Sequence, residues 1–597
     1  MRTRPLRKSL LINAALACVA FCVAPAAPAQ SPAEPQPPRA STAPAAGAVK
    51  ADLVLKNAAV YTVDRVRSWA EAVAVRGDKI VYVGSDKGAA RFVGPRTKVV
   101  DLAGKMVLPG FQDAHVHPLE AGLDQMGCYL YDLPTKEEYL RAVADYAAKH
   151  PNEKWIRGAG WDMGYFTRGI PDHRDLDAVV SDRPVYLVSK DGHSAWVNSK
   201  ALEMAGITRD TPDPERGRID RGSDGEPVGS LQETAMDLVG KRVPPYTLAD
   251  GRRALEIAVK KLNSLGITSF DDADVYPDGY LGVRMLDAYR DVDRKGVLTA
   301  RVVASLHWDP VKGESQIPDL IRARREYTRG RVRATAVKIF QDGVIEAKTA
   351  GVLEPYRGKE GGGHGMALVE PEELKRDVTR LDKEGFQVHF HAIGDAAIRQ
   401  ALDAIEAARA ANGARDSRHH LAHIELFSPD DIPRFRELGV VANFQPLWAR
   451  GDAYINDLTL PILPPETHRW LYPIGSVLRS GAVVAFGSDW SVSSANPLEE
   501  MEVAVRRADW KKPDEAPFLP DERIDLKDAI AAFTINAAYV NFQDDRTGSL
   551  EAGKFADLIV LDRNLFAIPA SDISETKVLL TLLGGKPVYG DVKSLAR

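Results

Sequence analysis

Strand-like and helical segments alternate over about 400 residues of this 597-residue chain. Apolar runs such as "LGITSFDDA", "FQVHFHAIGD" and "GAVVAFGSDW" are typical of buried strands, whereas "PEELKRDVTRLDKEG" and "DAAIRQALDAIEAARAA" have helical periodicity. Parallel strands need long crossover connections, which are usually helices. The alternation therefore predicts an α/β fold with a (β/α)8 TIM-type barrel.

The spacing of the strand-like runs is uneven. Roughly 200 residues separate His117, at the end of the first run, from the run at Val332 to Phe340, although a barrel devotes only about 30 residues to each strand and helix. We predict an insertion at about 125–248, which contains "GAGWDMGYF" and "DGHSAWVNSK". Because loops at the mouth of a barrel carry function, we expect a substrate-selecting lid there.

The two ends of the ordered sequence are both rich in β-forming residues. "ADLVLKNAAVYTVD" and "EAVAVRGDKIVYVGS" stand near the start, and "GKFADLIVLD" and "KVLLTLLGGKPVYG" stand near the end. We predict that 51–110 and 546–597 together form a small β-sandwich domain. The barrel domain would then occupy 111–545 and carry the insertion.

The N-terminus has the features of an export signal. A basic "MRTRPLRK" precedes the apolar "SLLINAALACVAFCVA" and the small-residue pattern "APA", so we expect 1–29 to be a signal peptide. The segment 30–50 is rich in Pro and Ala and is expected to be a linker. The expected location is the periplasm. A lipid anchor at Cys18 is the weaker alternative, because Ala15 stands where a lipoprotein signal normally has Leu.

Composition narrows the range of partners. With 45% apolar residues, 27% charged residues and a net charge of -5, the chain has no basic field that would suit nucleic acid. Removal of the signal would leave Cys128 as the single thiol, so the mature chain could form no internal disulfide. We expect a small-molecule substrate and no stable membrane insertion after cleavage, and a homodimer is compatible with the sequence.

Two histidines stand one residue apart in "PGFQDAHVHP", where a strand should end. In an extended strand His115 and His117 share a face, so both imidazoles would point the same way. Two neutral imidazoles aimed at one point can share a metal ion. Taken alone, the motif is more typical of an ordinary, hydrogen-bonded surface pair.

Further candidate ligands stand at the ends of other strand-like runs. Lys338 lies near the end of "VRATAVKIFQDG", His391 ends "FQVHFHAIGD", His423 falls late in "RHHLAHIEL", and Asp489 follows "GAVVAFGS". A barrel gathers the carboxyl ends of its strands at one mouth, which is where active sites lie. The combination therefore favours a metal site.

Other histidines stand close to these candidates in the sequence and have to be distinguished from them. His389 shares a strand face with His391, but the later residue is nearer the mouth, so His389 is expected to pack or to support a ligand. By the same alternation, His419 and His423 share a face while His420 points away. His423 is again the later residue.

The full set of motifs resembles the metal-dependent amidohydrolase superfamily, and most closely amidohydrolase family 3, the branch with the N-substituted formamide deformylase-like proteins. "PGFQDAHVHP", "GAGWD", "DGHSAWVNS", "VKIFQDG", "HAIGD" and "GSDW" occur in the family's order and span nearly the whole mature chain. The resemblance implies two metal ions, with ligands His115, His117 and Asp489 for the first, His391 and His423 for the second, and a carboxylated Lys338 between them.

The expected chemistry follows from such a metal site. One or two divalent ions are expected; zinc suits imidazole and carboxylate ligands best, while manganese, iron, cobalt and nickel stay open. Zinc lowers the pKa of water toward about 7, so hydroxide can attack an amide carbonyl at neutral pH. Asp489 is the candidate general base and acid, and His193 is a candidate for stabilising the oxyanion.

Lys338 has two interpretations. Burial would drive it toward the neutral amine, which alone adds carbon dioxide to give a metal-binding carbamate. Alternatively, Lys338 extends toward solvent or pairs with a carboxylate.

These patterns predict an exported metal-dependent amidohydrolase in which metal-activated hydroxide cleaves the C–N bond of an amide-like substrate. The same site could instead hydrolyse esters, lactones or cyclic imides. From a different class, a non-catalytic periplasmic binding protein could use a degenerate barrel.

Overall fold

The computed structural model describes residues 49–131, 133–358 and 362–596. The expected signal peptide, and the expected linker up to residue 48, lie outside these residues. Within the described ranges, no helix combines the length and the apolar character that a membrane crossing requires.

Eight parallel strands form the centre of the molecule, each beside its neighbour in chain order. They are β1 (Phe111–Val116), β2 (Ile267–Val275), β3 (Arg301–His307), β4 (Val332–Phe340), β5 (Gln387–Ala392), β6 (His420–His423), β7 (Val441–Phe444) and β8 (Val484–Phe486). The first and last strands are brought together just beyond β8, where Asp489 N donates to His115 O at 2.8 Å. The predicted TIM-type barrel is confirmed.

Helices connect the strands and cover the barrel. They are Pro118–Asp124, Leu248–Ser264, Met285–Arg294, Ile317–Tyr327, Pro371–Lys383, Asp395–Asn412, Ile432–Leu438, Ile474–Arg479, Pro497–Arg506, Leu526–Ala532 and Ile535–Val540. The helix before β2 shows why they form: Thr247 and Asp250 make a reciprocal capping box at its start. Its buried residues Leu255, Val259 and Leu262 recur at helical spacing on the face toward the barrel.

The long segment between β1 and Leu248 forms a mixed sheet of its own. In spatial order its strands are Gly217–Arg221, Pro227–Glu233, Ser194–Val197, Val185–Ser189, Ile156–Trp161 and Cys128–Tyr129. The longest helix of this segment is Lys136–Lys149, and shorter ones are His173–Asp177, Ser199–Ala205 and Asp237–Gly240. Trp161 and Trp196 both pack against Phe166, at ring distances of 5.5 and 5.1 Å. These two tryptophans are therefore core residues of the insertion.

Strands from both chain ends form two further sheets. One has the order Lys79–Gly84, Ala72–Arg76, Leu53–Lys56, Lys98–Asp101, and the other Lys586–Tyr589, Val578–Leu583, Leu558–Leu561, Met106–Pro109, Ala59–Tyr61, Trp69–Ala70. Leu55, Val73 and Leu102 share an apolar core with Leu558 and Leu580. The predicted β-sandwich built from both ends is present.

At the end of the barrel away from the mouth, a buried carboxylate accepts hydrogen bonds from several segments of the chain. Asp382, at the end of helix Pro371–Lys383, accepts hydrogen bonds from Asn412 Nδ2 (2.8 Å), Ser417 Oγ (2.9 Å), Arg415 Nε (3.0 Å) and His419 Nε2 (3.1 Å). The Nδ1 of His419 accepts from Val388 N at 2.9 Å, so Nε2 carries the proton. This end of a barrel serves stability.

We predict that Asp382→Asn destabilises the fold at neutral pH. Burial raises the pKa of Asp382, but hydrogen bonds from His419 and Asn412 outweigh burial and bring the pKa from 3.8 to about 2. Because the folded pKa is the lower one, this stabilisation is present above pH 3.8 and is lost as the pH falls toward 2. It amounts to ~2 kcal/mol.

Thermal unfolding followed by circular dichroism tests this. The variant should melt several degrees below wild type at pH 7, and the difference should shrink between pH 4 and pH 2. The exposed Asp430→Asn serves as the control and should melt with wild type. Equal midpoints for Asp382→Asn and wild type at pH 7 would refute the prediction.

Candidate metal centre

The two histidines of "HVH" converge on one carboxylate oxygen at the mouth of the barrel. His115 lies on β1 and His117 directly follows it. The Nε2 atoms of His115 and His117 lie 3.3 and 3.1 Å from Asp489 Oδ1. The structure therefore brings together three of the residues that the sequence singled out.

Main-chain hydrogen bonds lock this arrangement. His115 O accepts from Asp489 N at 2.8 Å, and Trp490 O accepts from His117 N at 2.9 Å. Asp489 has φ 51°, a left-handed conformation that is uncommon for a non-glycine residue and found most often at functional sites. The backbone after β8 thus holds the carboxylate against both imidazoles.

Asp113 and Gly487 complete the contact between β1 and β8. The buried carboxylate of Asp113 accepts from His115 N (3.1 Å), Ser488 N (3.0 Å) and Ser488 Oγ (2.5 Å). A Cβ on Gly487 would lie 2.4 Å from His115 N, closer than atoms can approach. Only glycine allows this contact, which sets the separation of the two strands. Sequence analysis missed Asp113, although its place two residues before His115, on the same strand face, was the available signal.

His391 and His423 lie beside this group. The ring of His423 is 4.7 Å from the ring of His115 and 4.5 Å from that of His391, and His423 Nδ1 is 3.8 Å from Asp489 Oδ2. His391 Nε2 donates to Gly343 O at 3.2 Å, which leaves Nδ1 of the neutral ring with a free lone pair. Both histidines are thus close enough to act with the first group.

Strand alternation is broken at His423. This residue has φ 73° and the next, Ile424, has φ 42°. His420 is fully buried, and its ring lies 3.9 Å from that of His389 inside the barrel. The prediction that His420 points away was therefore wrong, because the left-handed turn at His423, and not regular alternation, aims that imidazole at Asp489.

Lys338 is buried in the same site. It is 1% exposed, and its Nζ lies 3.5 Å from His115 Nε2. Among the described residues no carboxylate oxygen comes within the 4.0 Å of an ion pair. Burial lowers the pKa of Lys338 from 10.5, although more distant carboxylates such as Asp274 oppose the shift. The environment therefore favours the neutral amine.

His193 reaches the site from the inserted sheet. Its ring lies 5.3 Å from that of His391, and its Nδ1 lies 3.0 Å from Glu233 Oε2. Burial lowers the pKa of His193, but Glu233 more than compensates and raises it to about 9. The imidazole is thus protonated at neutral pH. No hydrogen bond joins its Nε2 to any described residue.

Glu233 is a further residue that sequence reasoning missed. It holds His193 in place, accepts from Thr349 Oγ1 at 3.1 Å, and has φ 50°. A left-handed glutamate is strained, and such strain is concentrated at functional sites. The sequence carries no local signal for this residue, since its partner lies 40 positions away.

The donor set fits a divalent cation. The ligand atoms of His115, His423 and Asp489 all lie within 4.8 Å of one another. Within the described part of the chain, Asp489 Oδ1 and His423 Nδ1 are buried without hydrogen-bond partners. Burial lowers the pKa of His115 to about 3 and that of His423 well below 6.5, so these imidazoles are neutral. Neutral imidazoles and a carboxylate are ligands that zinc and similar ions bind.

Comparison with known proteins agrees with this geometry. The family described as "Amidohydrolase family" matches residues 98–589. The protein LONG AFTER FAR-RED 3 of Arabidopsis thaliana is 34% identical over 92% of this chain and 93% of its own. The N-substituted formamide deformylase of Arthrobacter pascens is 30% identical over 89% and 97%.

A solved structure is similar over a comparable length. A metal-dependent hydrolase from Pyrococcus horikoshii OT3 superposes with a TM-score of 0.68 at 25% identity and covers 87% of this chain and 99% of its own. The resemblance drawn from the motifs is thereby confirmed. With its matching sequence, its barrel and its histidine and aspartate cluster, the chain belongs to the amidohydrolase family of metal-dependent hydrolases.

Proposed function

We propose that the protein is an exported amidohydrolase that cleaves the C–N bond of a small amide-like substrate. The convergence of His115 Nε2 and His117 Nε2 on Asp489 Oδ1, at the mouth of the barrel, carries the proposal. The name of the Arthrobacter relative, a formamide deformylase, supports an amide as the substrate class.

The ligand sets follow from the positions of the side chains. His115, His117 and Asp489 would hold one ion, and His391 and His423 a second. Zinc is the ion that best suits these ligands. A divalent ion bound there supplies Lewis-acid chemistry: it polarises a carbonyl group and makes water acidic enough to attack at neutral pH.

Lys338 is proposed to be carboxylated and to lie between the two ligand sets. Its buried amine would add carbon dioxide, forming an N–C bond and releasing one proton, and the product would be a carbamate anion. Its position 3.5 Å from His115 Nε2 supports this assignment. The anion would also compensate the positive charge that a cation brings into a buried site.

Asp489 is the proposed general base and acid. Burial raises its pKa, but His115 and His117 outweigh burial and hold it well below 3.8, so the carboxylate is ionised at neutral pH. It would accept the proton of the attacking water and return it to the leaving amine.

His193 is the proposed oxyanion donor. Its Nδ1 is held by Glu233, so a protonated ring presents Nε2–H near His391, where charge would develop on the substrate oxygen.

We predict that His193→Gln lowers kcat by roughly 10²–10³ while KM changes little, because the donor acts mainly in the transition state. Steady-state kinetics measures this. His150→Gln is the control and should leave both constants unchanged, because His150 ends helix Lys136–Lys149 of the same insertion and its ring stacks on Tyr146. A large rise in KM with an unchanged kcat would instead make His193 a residue for substrate binding.

The substrate class is tested by comparing hydrolysis of N-substituted formamides with that of the matched formate esters. The metal-loaded protein should release amine from the formamides, and Asp489→Asn should lose roughly 10²–10⁴ of that rate. Cleavage of esters alone would contradict the amide proposal. A folded, metal-loaded protein that cleaves neither class, nor cyclic imides, would support a binding protein.

Export is proposed on the composition of the first 29 residues, a basic start followed by an apolar run and small residues. Expression of the full chain in a Gram-negative host should yield periplasmic protein whose intact mass matches cleavage after Ala29. Full-length protein confined to the cytoplasm would refute export, and a mass that includes a lipid on Cys18 would favour the anchored alternative.

A further inference from the structure

A second set of polar side chains lies inside the barrel, one layer further from the mouth than the metal centre. Asp271 is on β2, Ser305 on β3, His389 on β5 and His420 on β6. All four are 0% exposed. Polar groups buried this deeply cost free energy unless they are hydrogen-bonded, so their arrangement requires an explanation.

Three of these residues form a continuous hydrogen-bonded chain that starts at His115. His115 Nδ1 lies 2.8 Å from His389 Nε2. His389 Nδ1 lies 3.1 Å from Ser305 Oγ, and Ser305 Oγ donates to Asp271 Oδ1 at 2.9 Å. The hydrogen-bonded chain runs from an imidazole that lies 3.3 Å from Asp489 to a buried carboxyl group.

The donor-to-acceptor direction of these hydrogen bonds decides whether His115 can bind a metal. A neutral imidazole has one protonated nitrogen and one lone pair. If Nε2 of His115 is to bind an ion, its Nδ1 must carry the proton and donate to His389 Nε2. His389 Nδ1 must then carry its own proton and donate to Ser305 Oγ, whose hydroxyl proton goes to Asp271.

We propose that His389, Ser305 and Asp271 are positioning residues that fix the metal-binding tautomer of His115. The inference rests on the proposed function, in which His115 is a metal ligand. The Ser305 hydroxyl gives the chain its direction: its single proton goes to Asp271 Oδ1, so toward His389 Nδ1 it can only accept a hydrogen bond. Histidine ligands are commonly held by a carboxylate in this way, and here a second histidine and a serine extend the connection.

A third metal site at the same place is the competing interpretation. The ligand atoms of Asp271, His389 and His420 lie within 4.8 Å of one another. Asp271 Oδ2 and both ring nitrogens of His420 have no hydrogen-bond partner among the residues that the structure describes. However, a metal on His389 Nδ1 would leave the proton of that ring on Nε2, which would donate to His115 Nδ1. His115 would then carry its own proton on Nε2 and could not bind a metal there. The two arrangements exclude each other, and the chain is favoured because the Ser305 hydroxyl, which donates to Asp271, already lies 3.1 Å from His389 Nδ1.

The test is the metal affinity of isosteric variants, measured by zinc competition with a chromophoric chelator. In Asp271→Asn, the side-chain NH2 group would take the place of Oδ2, 3.5 Å from His389 Nδ1. It would donate to Nδ1, so the proton of His389 would move to Nε2 and His115 would lose its metal-binding tautomer. We expect a 10–100-fold weaker zinc affinity with an unchanged melting temperature for the metal-free protein. His389→Gln can accept from His115 through its carbonyl oxygen, so it should retain most of the affinity that His389→Leu loses.

His420→Leu is the matched control, because His420 packs against His389 but stands outside the chain. It should keep wild-type zinc affinity and stoichiometry. Loss of one zinc equivalent in this variant would establish the third metal site and overturn the inference. Equal affinity of Asp271→Asn and wild type would also overturn it, whereas a wild-type protein that binds no zinc would refute the proposed function itself.

Discussion

The site depends on the contact between the first and last strands of the barrel. Asp489 follows β8 in a left-handed conformation, and its amide donates to the carbonyl of His115 on β1. The same contact places Asp489 Oδ1 within 3.3 Å of His115 Nε2 and within 3.1 Å of His117 Nε2. The same contact therefore closes the barrel and brings the two imidazoles to the carboxylate. The close approach of Gly487 to His115 allows little change in this geometry.

The electrostatics of the site explain why a cation belongs there. An ionised carboxylate in an apolar interior is costly unless it is paired or bound to metal. Asp489 is 4% exposed and ionised, while His115 and His423 are neutral because burial lowers their pKa values. A divalent cation could be shared by these groups, because neutral imidazoles and a carboxylate all present lone pairs to it. Burial lowers the pKa of Lys338 as well, and no carboxylate of the described residues lies within ion-pair distance of its Nζ.

Much of the fold could be predicted from the sequence. Alternating strand and helix patterns identified the barrel, and the helices Pro371–Lys383 and Asp395–Asn412 coincide with the two periodic segments. The spacing of the strand-like runs predicted a large insertion after the first strand. The β-sandwich from both ends followed from β-rich composition, since each end leaves apolar strands that need a partner. The sequence-based expectation of a signal peptide stays a prediction.

Parts of the site could not be predicted, because they depend on tertiary contacts or on irregular backbone. His420 was assigned to the wrong face because strand alternation assumes regular dihedral angles, which end at His423. Glu233 stands 40 residues from His193 and has no local motif. The chain from His115 to Asp271 crosses three further strands, and nothing in the spacing of these residues indicates it.

The most direct test of this account is anomalous X-ray diffraction from crystals of the protein purified without added metal or chelator. We expect an anomalous peak at a metal absorption edge about 2.0–2.2 Å from His115 Nε2, His117 Nε2 and an oxygen of Asp489. A well-ordered site with no such peak, even after incubation with zinc, would contradict it.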